Sequence, residues 1–405
     1  MIQHDGPAAR ILVRLGQRVR QGELIGRAEQ PESLNVHAPL AGQITGVNRV
    51  DTAHAADVPA VEITSAKISP SGHADRAGPV SSSTEPANAA GLADVADRAG
   101  LTNFAHPAIP LGRQLRQAAS QGIHDVIINA MEAEPMLTAD DLTVAESLDM
   151  IIAAGVWVRG ALNARRIWLA VDRANRRQVS HCRSATAGTP LRVVRLRNKY
   201  PQGAPILLAL TVLGRETPCG RSPVEANVFI VGVAALAALA AAVLHGRPMV
   251  DRVVTVTGPA AGRPGHYRIP VGTTFADVMR HIGLRRPVAQ VVDGGPMTGK
   301  AVESLDAVVT KRTCAILLLD RDSARIPRPG PCVRCGWCQE DCPVGLDPQA
   351  LLNLMDRGEV TKSARFHPQA CIECGVCSYI CPAELPLAQA AADLKRLTLI
   401  GAHAS

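Results

Sequence analysis

Eight of the eleven cysteines fall between residues 332 and 381, in two runs of the same form. The first is Cys332-x2-Cys335-x2-Cys338-x3-Cys342-Pro343, and the second is Cys371-x2-Cys374-x2-Cys377-x3-Cys381-Pro382. Three thiolates at this spacing wrap three corners of an iron–sulfur cubane, and where two such runs occur the cysteine before proline serves the other cluster. Cluster 1 is therefore assigned to Cys332, Cys335, Cys338 and Cys381, and cluster 2 to Cys371, Cys374, Cys377 and Cys342. Zinc sites use widely separated pairs without the third cysteine and the proline. A disulfide scaffold belongs to a short secreted chain with its cysteines spread along it. Two 4Fe-4S clusters are the reading, and the chemistry is one-electron transfer. Of the remaining cysteines, Cys182, Cys219 and Cys314, the last precedes an apolar run and is expected in buried core.

Such clusters need a framework, and 405 residues allow about two to four domains. With 47 % apolar and 20 % charged residues the chain can build sizeable cores, so wholesale disorder is excluded. The 2 % aromatic content argues against a module that stacks nucleic-acid bases. The net charge of +7 is mostly scattered arginine, the mark of a solvated surface that suits acidic protein partners or an anionic membrane face. Two oxidised clusters at about −2 each would lower that charge to roughly +3. No signal peptide opens the chain, and the cysteine usage points to reducing cytoplasm. The apolar stretch 228–244 is short and alanine-rich for a membrane span, and reads as a buried strand turning into a buried helix.

Four parts and a linker follow along the chain. Residues 1–66 carry short β-branched runs punctuated by glycine and proline, an all-β unit. Residues 67–97 are rich in small and turn-forming residues and read as a linker. From 98 to 248 helical-period runs alternate with β runs such as DVIINA and NVFIVGV, the pattern of an α/β domain with a largely parallel sheet. Residues 249–312 suggest a β-grasp-like α+β unit, and 313–405 hold the clusters and a helix-friendly tail.

The phrases VHAPLAG, INAMEAEP, KYPQG, LGRETPCG, RVVTVTG and GGPMTG, with both cysteine runs, resemble the RnfC family of Rnf-type electron transport complexes, relatives of the flavin-bearing subunit of respiratory complex I. The resemblance covers nearly the whole chain. It implies an N-terminal barrel-sandwich hybrid, an α/β flavin/NADH-type domain, a β-grasp-like domain and a two-cluster ferredoxin-like domain. The barrel lacks the acceptor lysine of a carrier domain, since the first lysine is Lys67. The resemblance further implies a peripheral subunit on the cytoplasmic face of the inner membrane, with the other subunits of a membrane complex or a soluble electron carrier as partners, and without a span of its own.

Two departures from the family pattern concern the flavin. The family's loop, roughly A-G-[IV]-V-G-x-G-G-A-G-F-P, stands here as AGLTNFAHPAIP over residues 99–110. Asn103, Ala105, His106 and Ala108 take glycine positions where backbone N–H groups would approach a phosphate, and Gln114 replaces a cation. The family's N-V-G-T becomes Gly232-Val233-Ala234-Ala235. Asn129, Glu132, Glu134 and Asp140 survive as polar groups at a strand end, a vestigial flavin/NADH site or a structural one. His106 reads as a loop residue and Lys311 as a surface charge, while Arg113 or Arg116 could rebuild a phosphate site. The expected function is an electron relay through two clusters, with FMN and NADH bound poorly or not at all. The alternatives are a competent FMN-dependent NADH-oxidising subunit and a scaffold whose clusters are structural.

Overall fold

The computed structural model describes residues 1–65, 88–103, 108–324 and 326–403. His106 and Pro107 of the altered loop, Lys67, and most of the expected linker lie outside the described residues.

Six short strands form the N-terminal unit: β1 (Arg10–Ile11), β2 (Arg18–Val19), β3 (Leu24–Arg27), β4 (Val36–His37), β5 (Gly42–Val50) and β6 (Val58–Thr64). They make two three-stranded sheets, ordered β1-β3-β4 and β2-β5-β6. Val13, Val19, Ile25, Val36 and Ile44 fill the space between them.

Helix α1 (Ala89–Arg98) begins inside the segment expected to be linker. Its composition of alanine, glycine and aspartate hid a helix. Asn88 caps it by accepting from Gly91 N, and Leu92, Ala93, Val95 and Ala96 are buried. It joins the α/β unit with α2 (Leu111–Gln121), β7 (Asp125–Ala130), α3 (Ala139–Ala161), β8 (Arg166–Asp172), α4 (Arg176–Ala185), β9 (Leu191–Leu196), α5 (Pro205–Leu213), β10 (Val228–Gly232) and α6 (Val233–His245). The sheet runs β10-β7-β8-β9 with every pairing parallel, as the alternating pattern predicts. One face packs against α1, α2, α3 and α6, and the other against α5. Covered on both sides, a strand such as β7 can be buried at every position. The stretch 228–244 is β10 and most of α6, and among the described residues no helix is long and apolar enough to cross a membrane.

The next sheet comprises β11 (Asp251–Thr257), β12 (Gly265–Pro270), β13 (Gln290–Asp293), β14 (Lys300–Ala301) and β15 (Ala315–Leu319), with α7 (Phe275–Ile282) packed on it. The order β12-β11-β15-β13-β14 places β15 in the middle, so this sheet runs past residue 312, the end expected for it. An all-apolar strand, AILLL, is best buried at a sheet centre, and that outweighed its proximity to the cysteines. The C-terminal unit holds α8 (Trp337–Glu340), α9 (Pro348–Asp356), α10 (Val360–Ser363), α11 (Val376–Tyr379) and α12 (Leu387–His403).

Lys311 is not a surface charge. Its side chain is fully buried where three units meet, and Nζ donates to Gly100 O at 2.7 Å and to Asn35 O at 3.3 Å. Burial pushes the amine down to about 7, with Arg252 adding to the effect. The carbonyls tolerate it because an ammonium is all donor. Gly100 is required there, since a Cβ would lie 2.3 Å from Asn35 O and 2.8 Å from the amine. Burial pushes His37 down to about 3 and His4 to about 4, so both imidazoles beside this junction are neutral.

Candidate metal centre and adjoining cavity

The two cysteine runs share one backbone course, repeated thirty-nine residues apart. Arg334 and Glu373, before the second cysteine of each run, both have left-handed φ, at 56° and 57°. Gly336 and Gly375 follow at 81° and 77°, then the single turns α8 and α11, and after the prolines Gly345 and Glu384 turn left-handed again. This course aims backbone N–H groups at sulfur. Arg334 N donates to Cys332 Sγ and Glu373 N to Cys371 Sγ, both at 3.4 Å, and Leu346 N to Cys342 Sγ at 3.3 Å. Donors of this kind suit thiolates that carry a metal's share of negative charge.

The thiols act on one another in two sets. Cys377 is pushed up to about 12 by burial first, then by Cys371, Cys374 and Cys342. Cys374 is raised by burial and by Cys342. Cys338 is raised by burial, then by Asp347, Cys381 and Cys335. Cys342 therefore keeps company with the second run, and Cys381 with the first. Cys332 and Cys335 are exposed, and the other six are half-buried. Thiols raised in this way stay protonated unless a metal draws off the proton. Among the described residues, no three His, Cys, Asp or Glu side chains converge as a single bound ion would require. The donors are all sulfur, with Cys342 beside Cys371, Cys374 and Cys377, and Cys381 beside Cys335 and Cys338.

A cavity of about 2240 Å³ lies between the α/β unit, the β11–β15 sheet and the second cysteine run. It opens at the carboxyl ends of β7 and β10, where Asn129 stands opposite Gly232 in register. In parallel sheets of this kind ligands lie in the crevice outside the carboxyl ends of the strands. Cys371 and Cys374 line the cavity, whereas the cysteines of the first run do not. Tyr200 Oη donates to Cys374 O at 2.6 Å, and a Cβ on Gly375 would lie 2.4 Å from Met297 O. KYPQG and GGPMTG thus close directly over the second run.

All four expected polar residues line the cavity. Asn129 is committed to structure: Nδ2 donates to Gly203 O at 3.0 Å and Oδ1 accepts from Met131 N at 3.0 Å. Glu134 is buried and accepts from Met297 N at 2.7 Å, Thr298 N at 3.2 Å and the Thr298 hydroxyl. It clasps the 295–299 loop. Glu132 is pushed up to about 9 by burial and the facing Asp140, and accepts from Asp141 N at 2.8 Å. Asp140 is raised to about 6 by burial, against the pull of Arg252. This pair holds a proton at neutral pH. Cys314 is half-buried at the cavity wall rather than in closed core, and burial pushes its thiol up to about 12.

The phosphate cradle is filled by a side chain. Asn103 Oδ1 accepts from Gly232 N at 3.0 Å, the backbone N–H just before α6 begins. Its Nδ2 donates to Ile230 O at 2.9 Å and to Gln114 Oε1 at 2.6 Å. The substituted loop residue and the substituted cation therefore hold each other in place. Arg113 and Arg116 do not rebuild it. Arg113 pairs with Glu32 at 3.2 Å, and Arg116 with Asp97 and, at 3.5 Å, with Asp94. Sequence reasoning marked Asn103 only as a lost glycine. Two of its partners, Ile230 and Gly232, lie more than a hundred residues away and carry no local signal.

Two families match the chain: residues 1–67 match one described as the RnfC barrel sandwich hybrid domain, and residues 96–241 one described as the Nuo51 FMN-binding domain. The C component of the ion-translocating oxidoreductase complex of Rhodobacter capsulatus is 33 % identical over 394 residues, covering 96 % of this chain and 75 % of that one. The C component of the proton-translocating ferredoxin:NAD(+) oxidoreductase complex of Clostridium ljungdahlii is 28 % identical over 364 residues, covering 90 % of this chain and 79 % of that one. Among solved structures, an NAD+-reducing [NiFe]-hydrogenase in the H2-reduced state aligns with a TM-score of 0.53 at 16 % identity. That alignment covers 77 % of this chain and 61 % of the hydrogenase chain, a likeness of fold.

Proposed function

The chain belongs to the RnfC family, the C components of ion-translocating oxidoreductase complexes, and from that premise we propose that it is the iron–sulfur electron-relay subunit of such a complex. Cys332, Cys335, Cys338 and Cys381 would hold one 4Fe-4S cluster, and Cys371, Cys374, Cys377 and Cys342 the other. When bound, each cluster supplies a one-electron carrier. The observation that carries the reading is the contact of the second run with the cavity, through Tyr200 on Cys374 and Met297 on Gly375. Cysteines 371 and 374 stand at the cavity wall and Cys332 and Cys335 at the exposed surface. The paired runs thus lead from an enclosed site outward to a partner. The domain layout that serves this relay is a barrel, an α/β domain, a β-grasp-like domain and a ferredoxin-like tail.

Protein purified without air should carry about eight iron atoms per chain. Zinc in their place, or a single cubane by electron paramagnetic resonance, would sink the assignment. Cys342→Ala should damage the cluster of the second run and spare its neighbour. Damage confined to the first run's cluster would reverse the crossed ligation.

A competent flavoenzyme is the second reading, favoured by the cavity's volume and by the Glu132–Asp140 pair within it. Against it stands Asn103, whose side chain is tied to Gly232 N at the start of α6 and to Gln114, the position of the replaced cation. Losing several charge-assisted hydrogen bonds at about 1.5–3 kcal/mol each weakens phosphate binding by orders of magnitude. Titration with FMN decides between the readings: micromolar or tighter binding, with the flavin reduced by NADH, would restore the flavoenzyme.

A further inference from the structure

The repeated cysteine runs carry different charges at equivalent places. Glu373 in the second run corresponds to Arg334 in the first, and Lys395 on α12 corresponds to Asp356 on α9. Lys395 reaches back to its own run: Nζ donates to Cys371 O at 2.8 Å and to Glu373 Oε1 at 2.7 Å. The lysine side chain is 26 % exposed and the glutamate 52 %. The carboxylate is therefore the more strongly screened partner, and the pair leaves a net positive potential on the Cys371 side. The first run has the opposite neighbour. Asp347, which caps α9 by accepting from Ala350 N at 3.0 Å, acts on Cys338, and the position equivalent to Asp347 is Pro386.

We propose that Lys395 is a positioning residue that raises the reduction potential of the cluster held by Cys371, Cys374, Cys377 and Cys342. The inference rests on the iron–sulfur reading above. Reduction adds one negative charge to a cubane, so a fixed cation beside a ligand favours the reduced form and a fixed carboxylate opposes it. The hydrogen bond to the Cys371 carbonyl keeps the ammonium from swinging into solvent, and Glu373 tethers it from the other side.

Redox titration of the anaerobically purified chain, followed by electron paramagnetic resonance, tests this. Lys395→Gln should lower the midpoint of the second run's cluster and leave the other where it is. Glu373→Gln, at the other end of the same ion pair, should raise that midpoint. Opposite shifts from the two ends of one ion pair reveal charge, because a packing defect would not change sign. Should Lys395→Gln lose its cluster, Lys395→Arg and Glu373→Gln decide: the proposal stands if Arg holds the midpoint and Gln raises it, and falls otherwise. Full iron content with unmoved midpoints in all variants would overturn the proposal and leave the relay intact. Wild-type protein without iron would overturn the relay itself.

Discussion

At the scale of single residues, Asn103 does the work that three or four glycines leave to a ligand. Asn103→Gly should free Gly232 N and raise FMN affinity above that of the wild type by roughly tenfold, the worth of one such hydrogen bond. Flavin fluorescence quenching reads this out, and an unchanged affinity would place the obstacle elsewhere in the loop. Glu132 makes a second residue-scale prediction. Its carboxyl is raised from 4.5 to about 9, so the folded state holds a proton that the unfolded chain releases. The stability it contributes is complete below about pH 4.5 and is lost as pH rises through about 9. Glu132→Gln can still accept from Asp141 N and should flatten that decline, with its largest gain in melting temperature on the alkaline side. Melting curves that run parallel to the wild type across this range would refute it. The two cysteine runs were legible in sequence because their spacing is local. The proton on Glu132 was not, since Asp140 faces it only once α3 has formed.

At the scale of elements, the second run's loop is fixed by what packs on it. Gly336 and Gly375 share a left-handed φ, yet a Cβ on Gly336 would meet nothing within 4 Å while one on Gly375 would strike Met297 O. Both Ala variants bear about 1–2 kcal/mol of backbone strain. Gly375→Ala should lose about 1–3 kcal/mol more through the forced contact, and with it the seal over the cavity. Chemical denaturation of the pair of variants gives the difference directly, and equal losses would show that the loops merely touch. Elements were predictable where their signal was local. The parallel sheet announced itself by alternation, and the strand-to-helix turn at Gly232 by its composition. Helix α1 did not, because its buried face is mostly alanine, and β15 did not, because only its partners in space reveal which sheet it completes.

At the scale of the whole molecule, family membership makes the other subunits of an ion-translocating oxidoreductase complex its partners. High salt or carbonate should release the chain from membranes without detergent, measured by its partition on sedimentation. Retention under both treatments would call for a lipid-embedded anchor. The junction around Lys311 has a consequence in time. The amine and the Asn35 carbonyl it bonds are 276 residues apart in the chain. At about 5–20 residues per second, a ribosome needs roughly 15–55 s to deliver one after the other. Through that interval the N-terminal unit lacks the amine that ties Asn35 to Gly100, and a chain halted after residue 100 but before residue 311 presents both carbonyls unfastened to the proteases and chaperones that meet it.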